Sequence, residues 1–257
     1  MTQGRTRIRL RFTKQGKVRF LSHRDVARVW ERTLRRAGLP VAYTEGFSPR
    51  PKLSFGLALS TGHESGAEYL DVELATSHDL ADIPDRVTAE LPLGMEVTAV
   101  AELAPGTPSL QQAVTSCTWE IALVDTDRQT VANAVARALA AETLMITRER
   151  KGKTVTDDIR PLVHSLVIDA SRSPVVLTAE LGTQPRAIRP TELLGALALP
   201  PLSARVRRTH QWIDAPDARH EPLTVGPPSA ASPVTGDAMR REPDVRLDRG
   251  APPGQPA

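Results

Sequence analysis

A single cysteine, Cys117, occurs in the 257 residues. That count excludes an internal disulfide and every multi-cysteine site, including the cluster that holds an iron–sulfur centre. Aromatic residues are also scarce, at 4%, which leaves few rings for stacking on nucleobases. No apolar run reaches the length of a membrane span, and the opening MTQGRTRIRL alternates charge with hydrophobe where a signal peptide needs a continuous apolar stretch. The sequence thus predicts a cytoplasmic protein with no membrane contact. It contains no nucleophile elbow and no P-loop, and His23, His63, His78, His164, His210 and His220 fall at no metal-ligand spacing. Neither a metal site nor a cofactor is expected.

Acids are nearly missing from the first sixty residues. Fourteen Lys or Arg stand there against Asp25, Glu31 and Glu45, a net charge of +11, whereas residues 61–110 hold Arg86 against ten acids, a net charge of −9. A split on that scale points either to a polyanion-binding face or to pairing between the two segments.

The hydrophobic residues, 40% of the chain, suffice for a core. Arg5, Arg7, Arg9 and Arg11 occupy one parity of the first strand and Ile8, Leu10 and Phe12 the other, the pattern of a strand buried on one face. Ser22 and Asp25 form a capping pattern ahead of a helix over about 23–37. Its apolar side is Val26, Val29, Trp30, Thr33, Leu34 and Ala37, and Arg24, Arg28, Arg32, Arg35 and Arg36 lie opposite. Gly38 stops that helix. A turn-rich loop runs from Glu45 to Lys52, strands follow over 53–59 and 67–74, then a helix over 78–91 and a strand over 95–103.

That order, βαββαβ, is ferredoxin-like, with two helices on one face of an antiparallel sheet and the other face open. The order returns in weaker form after a linker at 105–108: strand 117–124, helix 127–141, hairpin 144–155, strands 162–168 and 175–181, helix 190–197 and strand 204–212. The fold expected is therefore α+β, as two tandem ferredoxin-like halves, 1–104 and 109–213. A proline-rich tail over 214–257, poor in large hydrophobes, is expected to be disordered.

Guanidinium groups two residues apart on an open sheet face suit successive phosphates. Yet Asp71 and Glu73 in the third strand also suit a cross-strand ladder to the same arginines, and the sequence leaves both readings open. The candidate nucleic-acid contacts are Arg5, Arg7, Arg9, Arg11, Arg24, Arg28 and Arg35. A further basic tip lies at 148–153, and the adjacent Asp157 and Asp158 read as a turn. His23, near a helix start, is the one candidate general base, which would serve a metal-independent ribonuclease.

Val18-Arg19-Phe20-Leu21-Ser22-His23-Arg24-Asp25, the run from Tyr43 to Pro51, and Glu68-Tyr69-Leu70-Asp71-Val72-Glu73-Leu74 together resemble the radical-SAM-linked proteins, a bacterial family of unknown function. The resemblance spans roughly residues 5–213 and includes Asp158-Ile159-Arg160-Pro161. It implies a radical SAM enzyme as partner, here on a separate chain. The reading that follows is a non-catalytic adaptor that binds tRNA or ribosomal RNA, with Glu45, Phe47, Ser48, Arg50 and Lys52 as a ligand or partner loop. The alternative is a protein-docking module that never meets nucleic acid.

Overall fold

A computed structural model describes residues 5–150, 152–169, 171–201, 204–216 and 218–223. In chain order the elements are β1 (Thr6–Lys14), α1 (His23–Arg36), β2 (Leu53–Phe55), β3 (Glu64–Leu74), α2 (Ile83–Thr88), β4 (Val97–Glu102), α3 (Leu110–Ala113), β5 (Ser116–Leu123), α4 (Arg128–Ala140), β6 (Met145–Arg150), β7 (Lys153–Asp158), β8 (Val163–Asp169), β9 (Val175–Gly182), α5 (Pro190–Ala196), β10 (Ala204–Asp214) and β11 (Arg219–His220). The protein is α+β, with a mainly antiparallel sheet.

Among the described residues nine strands form one sheet, in the order β4-β1-β3-β10-β5-β9-β8, with β2 added to β3 and β11 to β10; β6 and β7 form a separate hairpin. Where the sequence suggests a sheet for each half, hydrogen bonding here runs across the join. The seam is a parallel contact, Arg207 opposite Glu64 and Arg208 opposite Ser65, and Gln211 Nε2 reinforces it by donating to the Ala67 carbonyl at 2.6 Å.

β1 alternates as its sequence dictates. Ile8, Leu10 and Phe12 are buried and pack with Val26, Trp30 and Leu34 of α1 and with Ile83 and Val87 of α2. Phe12 meets Trp30 edge-on, ring centres 4.8 Å apart, a geometry that adds to the area both rings bury. The start of α1 is held by Ser22, whose Oγ accepts the Asp25 amide at 3.3 Å. At its end Gly38 takes φ +67°, its amide donates to Arg35 and that of Leu39 to Leu34. These two bonds make a Schellman stop, which needs a left-handed residue that glycine adopts without strain.

α2 is shorter than its sequence pattern suggests, because Pro84 fits only the first turn of a helix and the approach over 78–82 stays irregular. The described residues at the start of the expected 214–257 tail belong to the fold. Residues 219–220 form β11, paired through Asp214↔Arg219, and residues 221–223 pack back on the sheet; residues 224–257 of that expectation lie outside the described residues.

Candidate nucleic-acid interface

The arginine row of β1 does not lie on an open face. Arg9 is opposite Asp71, and Arg11 opposite Tyr69. The Arg9 side chain is 3% exposed and forks onto Asp71, Nε to Oδ1 at 2.7 Å and Nη2 to Oδ2 at 3.0 Å. Arg7 reaches the same carboxylate at 2.5 Å and gives its other amino group to the Thr107 carbonyl at 2.9 Å. Arg11 meets Glu221 at 3.5 Å, and the Tyr69 hydroxyl donates to that carboxylate at 3.4 Å. Arg5, at the exposed end, lies 3.5 Å from Glu73. The ladder therefore extends diagonally as well as directly across the strands, and a residue from the expected tail supplies the acid for Arg11. Arg9 is enclosed and cannot meet a phosphate from solvent, and Arg7 and Arg11 are only partly accessible.

α1 presents the opposite case. Arg24, Arg28, Arg32, Arg35 and Arg36 are all exposed. Arg28 pairs with Asp25 at 3.5 Å and Arg36 with Glu90 at 4.0 Å; among the described residues Arg24, Arg32 and Arg35 have no ion-pair partner. His23 is exposed, edge-on to Phe55 with ring centres 5.3 Å apart. It makes no hydrogen bond among the described residues, so nothing orients it as a base.

The loop from Glu45 to Lys52 is closed at its neck. Tyr43 bridges Pro51, the Thr44 amide donates to the Arg50 carbonyl at 2.9 Å, and the Arg50 amide donates to Thr44 Oγ1 at 3.0 Å. Lys52 is tied to Glu73 at 3.1 Å. The tip, Glu45 to Ser48, is exposed, and Phe47 at 110% stands as open as a phenylalanine can. In the β6–β7 hairpin Arg148 binds Asp157 at 2.9 Å, and Arg186 reaches the same carboxylate at 3.2 Å. These bonds hold the Asp157 carboxyl below the usual aspartate range, with the Arg148 hydrogen bond leading. Lys151 lies outside the described residues. Among those described, no group of three or more His, Cys, Asp or Glu could hold a metal ion.

A second cluster escapes the sequence reading. Lys14, Glu68 and Arg208 are buried where β3 meets β10. Arg208 gives Nε to Glu68 Oε1 at 3.0 Å and Nη2 to the same oxygen at 2.5 Å and to the Leu57 carbonyl at 2.8 Å. Lys14 gives Nζ to the carbonyls of Leu21 at 2.9 Å and Arg19 at 3.3 Å. Burial lowers the Lys14 pKa, an effect the Glu68 charge opposes. Burial, the largest single influence, would also lower Arg208, but Glu68 and Cys117 together outweigh it and hold the guanidinium above its ordinary value. His63 is pushed down by burial and by the nearby Arg208 and Lys14 charges, and burial pushes the Cys117 thiol up to about 11. The signal for this cluster is parity: Lys14 continues the apolar row of Ile8, Leu10 and Phe12, and Glu68 that of Leu70, Val72 and Leu74. A charge on the core side of a strand marks a buried pair.

Comparison with curated proteins finds no match. Most of the residues that build the sheet arginine ladder and the buried charge cluster, and all of α1 and the closed loop, lie within residues 7–190, which match the family described as "uncharacterized protein conserved in bacteria" (DUF2344), and the chain belongs to that family.

Proposed function

We propose that the chain is an adaptor that binds RNA through α1 and passes it to a radical SAM enzyme on a separate polypeptide. The observation that carries the RNA part is the contrast among cations: the sheet arginines are committed to Asp71, Glu73 and Glu221, whereas three of the five α1 arginines have no acid partner among the described residues. Exposed guanidinium groups at helical spacing suit the phosphates of a backbone and carry no base readout. The partner rests on the resemblance of the motifs around Ser22 to Asp25 and Tyr43 to Pro51 to radical-SAM-linked proteins. In this reading the strand orders β4-β1-β3-β2 and β10-β5-β9-β8 are two ferredoxin-like halves joined edge to edge.

The test is a titration of the full chain against labelled tRNA and single-stranded RNA at several salt concentrations, beside a variant with Arg24, Arg28 and Arg35 changed to Ala. Binding that weakens steeply with salt, with a shallower slope in the variant, supports the reading. Absent or salt-independent binding overturns it. One observation favours the second reading, a protein-docking module: Phe47 at the tip of a closed loop has the form of an apolar anchor. That reading expects complex formation to survive nuclease and to fail with Phe47→Ala.

A further inference from the structure

A cavity of about 700 Å³ at the sheet seam has a mixed lining of charged and apolar groups, but a second one, of about 460 Å³, combines apolar walls with buried donors. It lies among Leu57 and Leu59, Cys117 and Trp119 of β5, Leu181 of β9 and Arg208 of β10. Its volume falls in the range of sites that enclose small organic molecules, where an apolar lining carries a few placed polar groups.

Two polar groups stand in its wall, one an unpartnered donor and one a buried cation. Trp119 is 6% exposed, and its indole N–H is buried without an acceptor, a condition that costs free energy in a closed protein interior. Arg208 spends Nε and Nη2 on Glu68 and the Leu57 carbonyl, and its guanidinium also meets the Cys117 thiol. The guanidinium carbon lies 5.3 Å from the centre of the Trp119 ring, so both groups belong to one wall. Charge points the same way. The buried cations Lys14 and Arg208 interact with a single buried carboxylate, Glu68, and the thiol and imidazole beside them are neutral at pH 7.5. A guanidinium held in its charged form in a poorly solvated wall favours an anion beside it.

We propose that this cavity binds a small organic carboxylate with a flat apolar body, its anionic end taken by Arg208 and the Trp119 N–H and its body by the leucines. The proposal does not depend on RNA binding, which involves the far more exposed α1, so each reading can fail without the other.

The chain has three tryptophans, so the full-length protein carrying 5-fluorotryptophan gives one fluorine resonance each for Trp30, Trp119 and Trp212, with Trp119→Phe assigning the one in the cavity. Indole-3-carboxylate is the probe, and indole-3-carboxamide its neutral match. The Trp119 resonance is expected to shift and saturate with the acid, Trp30 to stay unmoved, and the amide to bind roughly tenfold more weakly or worse, because a hydrogen bond to a charged group is lost. By calorimetry, Trp119→Phe should weaken the acid by about tenfold for the missing N–H. An unresponsive Trp119 resonance, or equal responses to acid and amide, overturns the proposal. The fluorine readout on the unsubstituted chain does so whether or not the variant folds.

Discussion

β1 and α1 carry arginines at comparable density and use them in opposite ways. In β1 the spacing of two puts the guanidinium groups on one face, and that face is covered by Tyr69, Asp71 and the returning segment at 221–223, so Arg9 is as buried as a leucine. In α1 the spacing of three and four puts them opposite Trp30 and Leu34, and every one remains in solvent. Arginine content therefore says little until its partners are known. A basic segment in sequence becomes a basic surface only where the fold supplies no acid.

The sharpest way to break this comparison is at Asp71, which holds both Arg7 and Arg9. Asp71→Asn keeps the volume and removes the charge, leaving Arg9 enclosed without its counterion. Loss of one partner from a buried pair costs about 3–5 kcal/mol, so the urea midpoint should fall far below that of the unsubstituted chain. A shift as small as those of surface variants would mean that Arg9 is not committed to Asp71. Glu221→Gln tests the other acid of the ladder. Its contacts with Arg11 and Tyr69 are long and partly solvated, so the same measurement should show a loss of about 1 kcal/mol.

Much of this arrangement is legible in the residues themselves. Alternation places β1, and the Ser22 cap and Gly38 stop bound α1, because these signals act within a few residues. The register that sets Arg9 on Asp71 is one of the two readings the strand pattern allows. What local pattern does not supply is the seam: Arg208 and Glu68 are 140 positions apart, and only the fold brings them together. Glu221 is hidden differently, since the composition of a long proline-rich stretch says nothing about one short strand at its start. Lys14 and Glu68, by contrast, stand on the apolar parity of their strands, a signal within reach of the sequence alone.

On the α1 side the expected effects on folding are small. Arg24, Arg28 and Arg35 changed together to Ala should move stability by no more than about 0.5 kcal/mol per site, as exposed positions do, with the urea midpoint close to that of the unsubstituted chain. If the helix is the phosphate surface, the slope of log affinity for tRNA against log salt should become shallower by about three, nearly one per lost contact. An unchanged slope would place the RNA contacts elsewhere, and a large stability loss would show that α1, like β1, is tied into the fold.

The smallest effect concerns pH and tests whether the buried cations at the seam act on their neighbours. His63 has its pKa lowered by burial first and by Arg208 and Lys14 next, and its Nδ1 is buried without a partner among the described residues. In the window between its folded pKa and the ordinary histidine value of 6.5, the unfolded chain binds the proton and the folded chain does not, so stability rises with pH there. Above that window the contribution is complete; as pH falls from 6.5 toward the folded pKa it is progressively lost. The melting temperature should therefore drop between pH 7.5 and pH 5.5, and His63→Gln should drop less over the same interval. Equal drops would mean that protonated His63 is accommodated beside Arg208 and Lys14.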